Sequence, residues 1–185
     1  MSIKDTAQSI IKSINDGDTL TSISLNAADF HEDTVKLVSV LVGKKLGGIY
    51  VTTSRPSSHI RAELEEAGAD LSDLYFVDLV SMTVGGNTSD PRTLFIESPT
   101  MLESILLNIT LLERRLKSKR RFVMFDSVNG LSIYSDPKVL REFINVLGNS
   151  MRIKEIYSML MTVKEQTDED LASALKLLSD KMIGE

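Results

Sequence analysis

The hydrophobic positions of the chain switch repeatedly between two spacings. Segments whose apolar residues recur every three to four positions, as on one face of a helix, alternate with short apolar runs rich in β-branched residues, which are typical of buried strands. The helical spacing predicts helices over residues 3–15, 34–45, 56–67, 99–118, 136–152 and 167–179. The apolar runs predict strands over residues 20–25, 48–53, 74–79, 121–127 and 156–163.

This alternation predicts an α/β fold, a mostly parallel sheet with helices on both faces, because parallel strands need a crossover connection. No linker or internal repeat interrupts the pattern, so we expect a single domain over residues 1–185. Ligands of such folds bind beyond the carboxyl ends of the strands. A ligand site is therefore expected at the residues that follow Leu25, Val51, Leu79, Phe125 and Met161.

The amino-acid composition argues against several kinds of ligand and several kinds of site. A net charge of -5 argues against broad binding to nucleic acid or to an anionic membrane surface. The chain has no cysteine, which excludes disulfides and thiolate metal sites. It has neither an apolar run of the roughly 20 residues that span a bilayer nor a secretory signal pattern at its N-terminus. We therefore expect a cytoplasmic protein without a membrane partner.

Three segments together resemble a known family. They are IYVTTSRPSSHIRAELEEAGADL, RRFVMFDSVNGLSIYSDPKVLREFINVL and DEDLASALKLLSDKMI. Their order resembles the RecA superfamily, and within it the KaiC-like ATPases of circadian-clock and archaeal motility systems. The first resembles the second strand and helix of those proteins, and the second resembles their Walker B strand with the helix after it. The resemblance covers nearly the whole chain and implies a RecA-like P-loop NTPase fold.

The resemblance also sets an expectation for the end of the sequence. KaiC-like proteins usually continue into further strands after the segment that matches residues 180–183, whereas this sequence stops at Glu185. We expect a fold truncated at the C-terminus, with the far part of the usual sheet missing or supplied by a partner.

The segment SISLNAADFHEDTVKLVSVL, residues 22–41, occupies the place of the phosphate-binding loop. Such a loop, Gly-x-x-x-x-Gly-Lys-Thr, curls its backbone N–H groups around phosphates, and its lysine meets their oxygens. Aligned on Thr34, Ala27 replaces the first glycine, Glu32 the second and Asp33 the lysine. Two unit charges about 4 Å apart at an effective dielectric of about 20 interact by roughly 4 kcal/mol, so aspartate in place of lysine turns attraction into repulsion. The loop is predicted to be a degenerate Walker A segment that binds no nucleotide cofactor.

A second departure concerns catalysis. The resemblance implies two threonines at the end of the second strand, followed by acids that include a glutamate orienting the attacking water. Here Ser54 and Arg55 occupy those positions, and neither is a plausible general base at neutral pH. Of the residues that the resemblance marks as functional, only Thr34 and Asp126 keep their type. We therefore predict a pseudo-ATPase without catalytic residues, whose vestigial positions are Ala27, Glu32, Asp33, Thr34, Ser54 and Asp126.

One enzymatic alternative remains. An atypical ATPase would use Asp126, Thr34 and Arg55 in a rearranged site, with magnesium bridging the acids, although Glu32 and Asp33 make phosphate binding there costly. In the corresponding structural interpretation, Asp126 caps the next turn and Thr34 simply starts a helix.

Other polar features favour structural roles. The only histidines, His31 and His59, lie in different segments, so no metal site is predicted. The basic cluster at residues 114–121 is either a nucleic-acid contact or a solvated helix end, and its lack of interleaved aromatic residues favours the latter. The segment 82–100, rich in Gly, Asn, Ser, Asp and Pro, is either a partner-binding loop or disordered.

The predicted function is that of a regulatory or assembly partner, for a second copy or for an intact KaiC-like ATPase. Association with nucleic acid, by analogy with RecA, is disfavoured by the net charge. We expect the contacts to use segment 82–100 or an exposed sheet edge, which lies either next to residues 156–163 or wherever the missing strands would have been.

Overall fold

A computed structural model describes residues 3–86 and 88–184 of the chain. Its helices are α1 (Ile3–Asp16), α2 (Phe30–Gly43), α3 (Ser57–Glu66), α4 (Leu102–Glu113), α5 (Val128–Ser132), α6 (Pro137–Ile153) and α7 (Glu169–Leu178). Its strands are β1 (Leu20–Leu25), β2 (Gly47–Thr52), β3 (Leu74–Asp78), β4 (Thr93–Phe95), β5 (Arg121–Asp126), β6 (Tyr157–Val163) and β7 (Lys181–Ile183). A single 3-10 turn, Lys164–Gln166, follows β6 in this part of the chain.

The strands form one sheet in the order β4-β3-β2-β5-β6-β1-β7, and every pair of neighbours is parallel. The predicted parallel sheet is confirmed, and each of the five predicted strands is found within one residue of its expected limits. Strands β2 and β6 are buried along their whole length, which explains why both read as continuous apolar runs.

Helices cover both faces of the sheet, as predicted. Alternate residues of β5 show the division: Val123 and Phe125 pack in one core with α4, α6 and α7, whereas Phe122 and Met124 pack in the other with α1, α2 and α3. The carboxyl ends of all strands consequently meet at one edge, between the two helical layers.

Several predicted boundaries were wrong. Helix α4 spans Leu102–Glu113 instead of residues 99–118, and the backbone N–H groups of Lys117 and Ser118 donate to the Asp73 carboxylate, 3.0 and 2.8 Å away. The basic cluster 114–121 starts at the C-cap of α4, Arg114, as predicted for a solvated helix end, but it also continues into β5, where Arg121 pairs with Glu113.

Segment 82–100 also differs from expectation, because its second half joins the sheet. Strand β4 pairs with β3, and Asp90 lies 2.5 Å from the Arg61 guanidinium and 3.0 Å from the Thr93 hydroxyl that donates to it. These contacts tie the segment to helix α3.

The sheet edge expected next to residues 156–163 does not exist, because β6 lies between β5 and β1. The outermost strands of the described sheet are β4 and β7. Across residues 3–86 and 88–184, no helix combines the length and apolar character needed to cross a bilayer.

Candidate functional site

The six positions predicted to be vestigial lie at the end of β5 and on the segments that follow β1 and β2. Ala27 lies in the connection from β1 to α2, Ser54 lies just after β2, and Asp126 is the last residue of β5. The structure brings Ser54 and Asp126 together, with the serine Oγ 3.5 Å from the Asp126 carboxylate. The remaining positions, Glu32, Asp33 and Thr34, belong to α2.

The connection from β1 to α2 is shorter than the sequence alignment predicted. Only residues 26–29 separate Leu25 from Phe30, and the N–H of Asp33 already donates to the Asp29 carbonyl, 2.8 Å away. The prediction that α2 begins at Thr34 was therefore wrong. Phe30 is only 3% exposed, and carboxylates in the first turn stabilise a helix N-terminus. With no glycine to favour an open loop, the helix starts one turn early.

Thr34 consequently faces its own helix. Its side chain is fully buried, and its hydroxyl donates to the Phe30 carbonyl at 2.6 Å. Glu32 points outward and lies 2.5 Å from the Lys36 ammonium group, whose hydrogen bond and charge lower the pKa of that carboxyl. Asp33 lies 3.8 Å from the same ammonium group. The two acids and the hydroxyl therefore have partners within α2.

An acid from another strand reaches the short connection. The N–H of Ala27 donates to the Glu165 carboxylate at 2.8 Å, and Glu165 lies in the 3-10 turn after β6. The sequence analysis missed this residue, because its contact with Ala27 depends on β6 and β1 being neighbours in the sheet. The Glu165 carboxylate thus occupies the backbone N–H of Ala27, the residue aligned with the first P-loop glycine.

Asp126 is a buried hydrogen-bond acceptor. Its side chain is fully buried and accepts from the hydroxyls of Tyr50 and Ser54. Burial raises the pKa of Asp126, opposed by the Tyr50 hydrogen bond and by the positive charges of His31 and Arg55. Burial, together with the Asp126 charge, also raises the pKa of Tyr50.

The carboxylate therefore joins β5 to β2. The interpretation that Asp126 caps the following turn was wrong, because its hydrogen bonds run sideways to Tyr50 and Ser54 on the neighbouring segment. The peptide bond between Asp126 and Ser127 is cis. Ser127 in turn is held by Thr53, whose hydroxyl donates to its carbonyl at 2.7 Å and accepts from its N–H at 2.9 Å.

Arg55 is directed towards helix α3. Its two terminal nitrogens lie 2.6 and 3.0 Å from the two carboxylate oxygens of Glu63, a bidentate ion pair. Within residues 3–86 and 88–184, no cluster of three or more histidine or acidic side chains is arranged to hold a metal ion.

A second strand-end acid, Asp78, was not singled out from the sequence. It accepts from the N–H groups of Ser57, Val80 and Ser81 at 2.7–2.8 Å and from the Ser81 hydroxyl at 2.7 Å. Burial raises the pKa of Asp78, but the hydrogen bonds from Ser81 and Ser57 outweigh it, so that the pKa is lowered. The signal was available, because Asp78 ends an apolar strand just as Asp126 does.

Asn129 of helix α5 forms hydrogen bonds with the residues at the carboxyl end of β6 and in the turn after it. Its side-chain carbonyl accepts from the N–H of Val163 at 2.9 Å, and its amide donates to the Gln166 carbonyl at 3.0 Å. It therefore holds the turn that carries Glu165 against helix α5. Sequence reasoning missed Asn129 because nothing in its neighbourhood marks a contact with β6.

Comparison with known proteins supplies the family. The family model described as "ATPase: KaiC" matches residues 37–180, well over half of the chain. The match begins beyond Thr34, so it does not include residues 27–34, which align with the phosphate-binding motif. No curated protein matches the chain.

Solved structures agree on the fold. A KaiC-like protein from the hyperthermophilic archaeon Pyrococcus horikoshii OT3 superposes with a TM-score of 0.62 at 11% identity, covering 90% of this chain and 69% of that one. An uncharacterized protein from Pyrococcus horikoshii, solved in complex with an unknown peptide, gives 0.70 at 12% identity, covering 89% and 76%. At these identities the two structures establish the fold alone. Together with the family match, they show that this chain belongs to the KaiC ATPase family and has its RecA-like fold.

Proposed function

We propose that this KaiC-family domain is non-catalytic and works as a regulatory or assembly partner without binding or hydrolysing ATP. The observation that carries the proposal is the four-residue connection from β1 to α2. A phosphate-binding loop keeps four residues between its two glycines free to curl around the phosphates, whereas the last two of the corresponding residues here, Phe30 and His31, already belong to helix α2.

Electrostatics supports the same conclusion. A nucleotide phosphate placed at this connection would meet Glu32, Asp33 and Glu165, with Glu165 already bound to the N–H of Ala27. Each such contact would be repulsive, because a phosphate and a carboxylate carry charges of the same sign.

The groups needed for hydrolysis are engaged elsewhere. The Thr34 hydroxyl, which would hold magnesium in an intact site, donates to the carbonyl of Phe30. Arg55 occupies the position of the water-orienting acid and forms its bidentate pair with Glu63. These contacts count equally against a rearranged site built from Thr34, Arg55 and Asp126.

Exposed apolar side chains support an associating role. On α6, Val139, Val146 and Ile153 are 51%, 46% and 85% exposed and recur every seven residues, so they lie on one side of the helix. On α4, Leu107 and Leu111 are 59% and 43% exposed and one turn apart. Apolar stripes on outer helices often mark protein contacts.

Light scattering with and without MgATP, together with an assay of phosphate release from ATP, tests the proposal. We expect a dimer or small oligomer whose mass rises with protein concentration and does not change with ATP, and no phosphate release above the buffer blank. The variant Asp126→Asn serves as a control, because residual phosphate from a contaminating ATPase would be equal in both preparations. A strict monomer that engages no partner, a ring that forms only with ATP, or turnover lost in Asp126→Asn would contradict the proposal.

A further inference from the structure

An open groove of about 600 Å³ lies between helices α1 and α2 on the outer side of the molecule. Its apolar lining comes from Ala7 and Ile11 of α1 and from Val40 of α2. Val40 is 40% exposed, although the neighbouring Leu41 and Val42 are buried in the core. The groove therefore offers an apolar strip between two helices.

Three lysines surround this strip. Lys4 and Lys12 of α1 and Lys44 at the end of α2 line the groove and are exposed, and a single acid, Asp16, lines it with them. No carboxylate of residues 3–86 and 88–184 forms an ion pair with any of the three lysines. Ion pairs elsewhere engage Lys36, Arg55, Arg61, Arg121, Arg152 and Lys154. The three lysines of the groove differ from other unpaired cations in lying together around an apolar strip. A cluster of unpaired positive charge on a chain of net charge -5 favours an anionic occupant.

The shape of the groove selects the class of that occupant. Lys4 and Lys12 are eight residues apart on α1, about 12 Å along the helix axis, or slightly more than two helical turns. Helix-in-groove recognition places an apolar face on such a strip, and carboxylates at either end of the face would meet the lysines. Nucleic acid fits less well, because the groove lining contains neither aromatic side chains for stacking nor arginines for phosphate.

We propose that the α1/α2 groove binds an acidic amphipathic helix of a partner protein. The partner helix sets one or two apolar side chains against Ile11 and Val40, and its carboxylates pair with Lys12 and Lys44. This inference rests on the associating role proposed above, and it does not depend on the loss of ATP binding.

A designed peptide provides the probe. The chain contains no tryptophan, so the fluorescence of a single tryptophan in an added peptide reports binding without background. The peptide is a helix of about 14 residues, about four turns, with a leucine stripe flanked by glutamates. Its partner in the comparison replaces each glutamate with lysine and keeps the apolar stripe. The acidic peptide should bind in the micromolar to submillimolar range, more weakly at high salt, and the basic peptide should not bind.

Variants of the groove locate the binding. The double variant Lys12→Glu/Lys44→Glu should weaken the acidic peptide by about tenfold or more, a change of about 1.4 kcal/mol. Lys138→Glu/Lys176→Glu makes the same change of charge at exposed positions of α6 and α7 and should leave the affinity within about twofold. Val40→Ser, which alters no charge, should also weaken binding. Equal losses in the two double variants, or no binding at about 1 mM peptide, would overturn the proposal.

Two other outcomes would overturn it by assigning the groove differently. A concentration-dependent dimer that is lost in Lys12→Glu/Lys44→Glu, without peptide binding, would assign the groove to a second copy of this chain. Binding of duplex DNA that the same variant abolishes would assign it to nucleic acid. If the peptide fails to bind while MgATP also fails to bind, the groove proposal falls and the nucleotide-free account stands.

Discussion

Buried aspartates are the last residues of two strands, β3 and β5, but they differ in the number of hydrogen bonds that they accept. Asp78 accepts three backbone N–H groups and a hydroxyl, whereas Asp126 accepts from two hydroxyls only. Hydrogen bonds to the charged form lower the pKa of a carboxyl, and burial raises it. The pKa of Asp78 is accordingly lowered and that of Asp126 raised.

Asp78→Asn should destabilise the fold strongly. The amide keeps one acceptor oxygen but turns an N–H₂ group towards donors, leaving buried N–H groups of Ser57 or Ser81 without a partner. We expect a loss of about 3 kcal/mol in the free energy of unfolding and a Tm lower by about 6–12 °C. Urea unfolding measures the loss, with Asp70→Asn at an exposed carboxyl as a control that changes stability by less than about 1 kcal/mol.

The stability difference between wild type and Asp78→Asn should depend on pH. Because the pKa of Asp78 is lower in the folded chain, its contribution to stability is present above the ordinary carboxyl value near 3.9 and is lost as the pH falls through the folded value. The difference between wild type and Asp78→Asn should therefore shrink below about pH 4. A difference that is constant from pH 7 to pH 3 would show that Asp78 does not act as a carboxylate.

Asp126→Asn should show the reverse dependence. A carboxyl whose pKa is raised by folding binds its proton more tightly in the folded chain, so it costs stability as the pH rises above its unfolded value near 3.9. An asparagine can still accept from Tyr50 and donate to Ser54. We expect the variant to equal or exceed wild type in stability at pH 8, with the difference shrinking towards pH 4. A variant that is clearly less stable at pH 8 would contradict the raised pKa.

Sequence reasoning assigned Asp126 and Ser54 to one site, Asp126 because it follows an apolar strand and Ser54 because the family resemblance implies a functional residue at that position. It could not predict which side chains form hydrogen bonds with the residues of this site. Tyr50 reads as one more apolar residue in a buried strand, and Glu165 reaches Ala27 only because β6 and β1 are adjacent.

Among the secondary-structure elements, helix α2 departs most from expectation. Its apolar face was predicted from residue 34 onwards, but the first turn holds Phe30, whose burial was not evident beside three acids. A helix that begins at Phe30 leaves no room for a phosphate-binding loop.

The triple variant Ala27→Gly/Glu32→Gly/Asp33→Lys tests this helix start. It restores the glycines and lysine of the family motif by sequence, but within α2 it places a glycine in the first turn and removes two favourable acids. We expect a loss of about 1–2 kcal/mol in stability and no gain of nucleotide affinity. Circular dichroism and urea unfolding measure the former. A folded triple variant that binds MgATP would show that the segment adopts the P-loop path.

For the whole molecule, the alternation of two hydrophobic spacings was sufficient to predict the parallel sheet and its two helical layers. The order of the strands was not predictable from spacing, which is why the expected edge at β6 was wrong. Strands β4 and β7 have three residues each and carry no periodic signal, so nothing in the sequence distinguished them from loops.

The most direct test of the nucleotide-free account is calorimetric titration of the chain with MgATP to millimolar concentration. The account predicts no heat beyond dilution, because the N–H of Ala27 in the β1–α2 connection is already bound to Glu165 and Asp33 stands where the motif has its lysine. An intact KaiC-family ATPase measured in parallel provides the positive control. Saturable binding with a dissociation constant in the micromolar range would contradict the account.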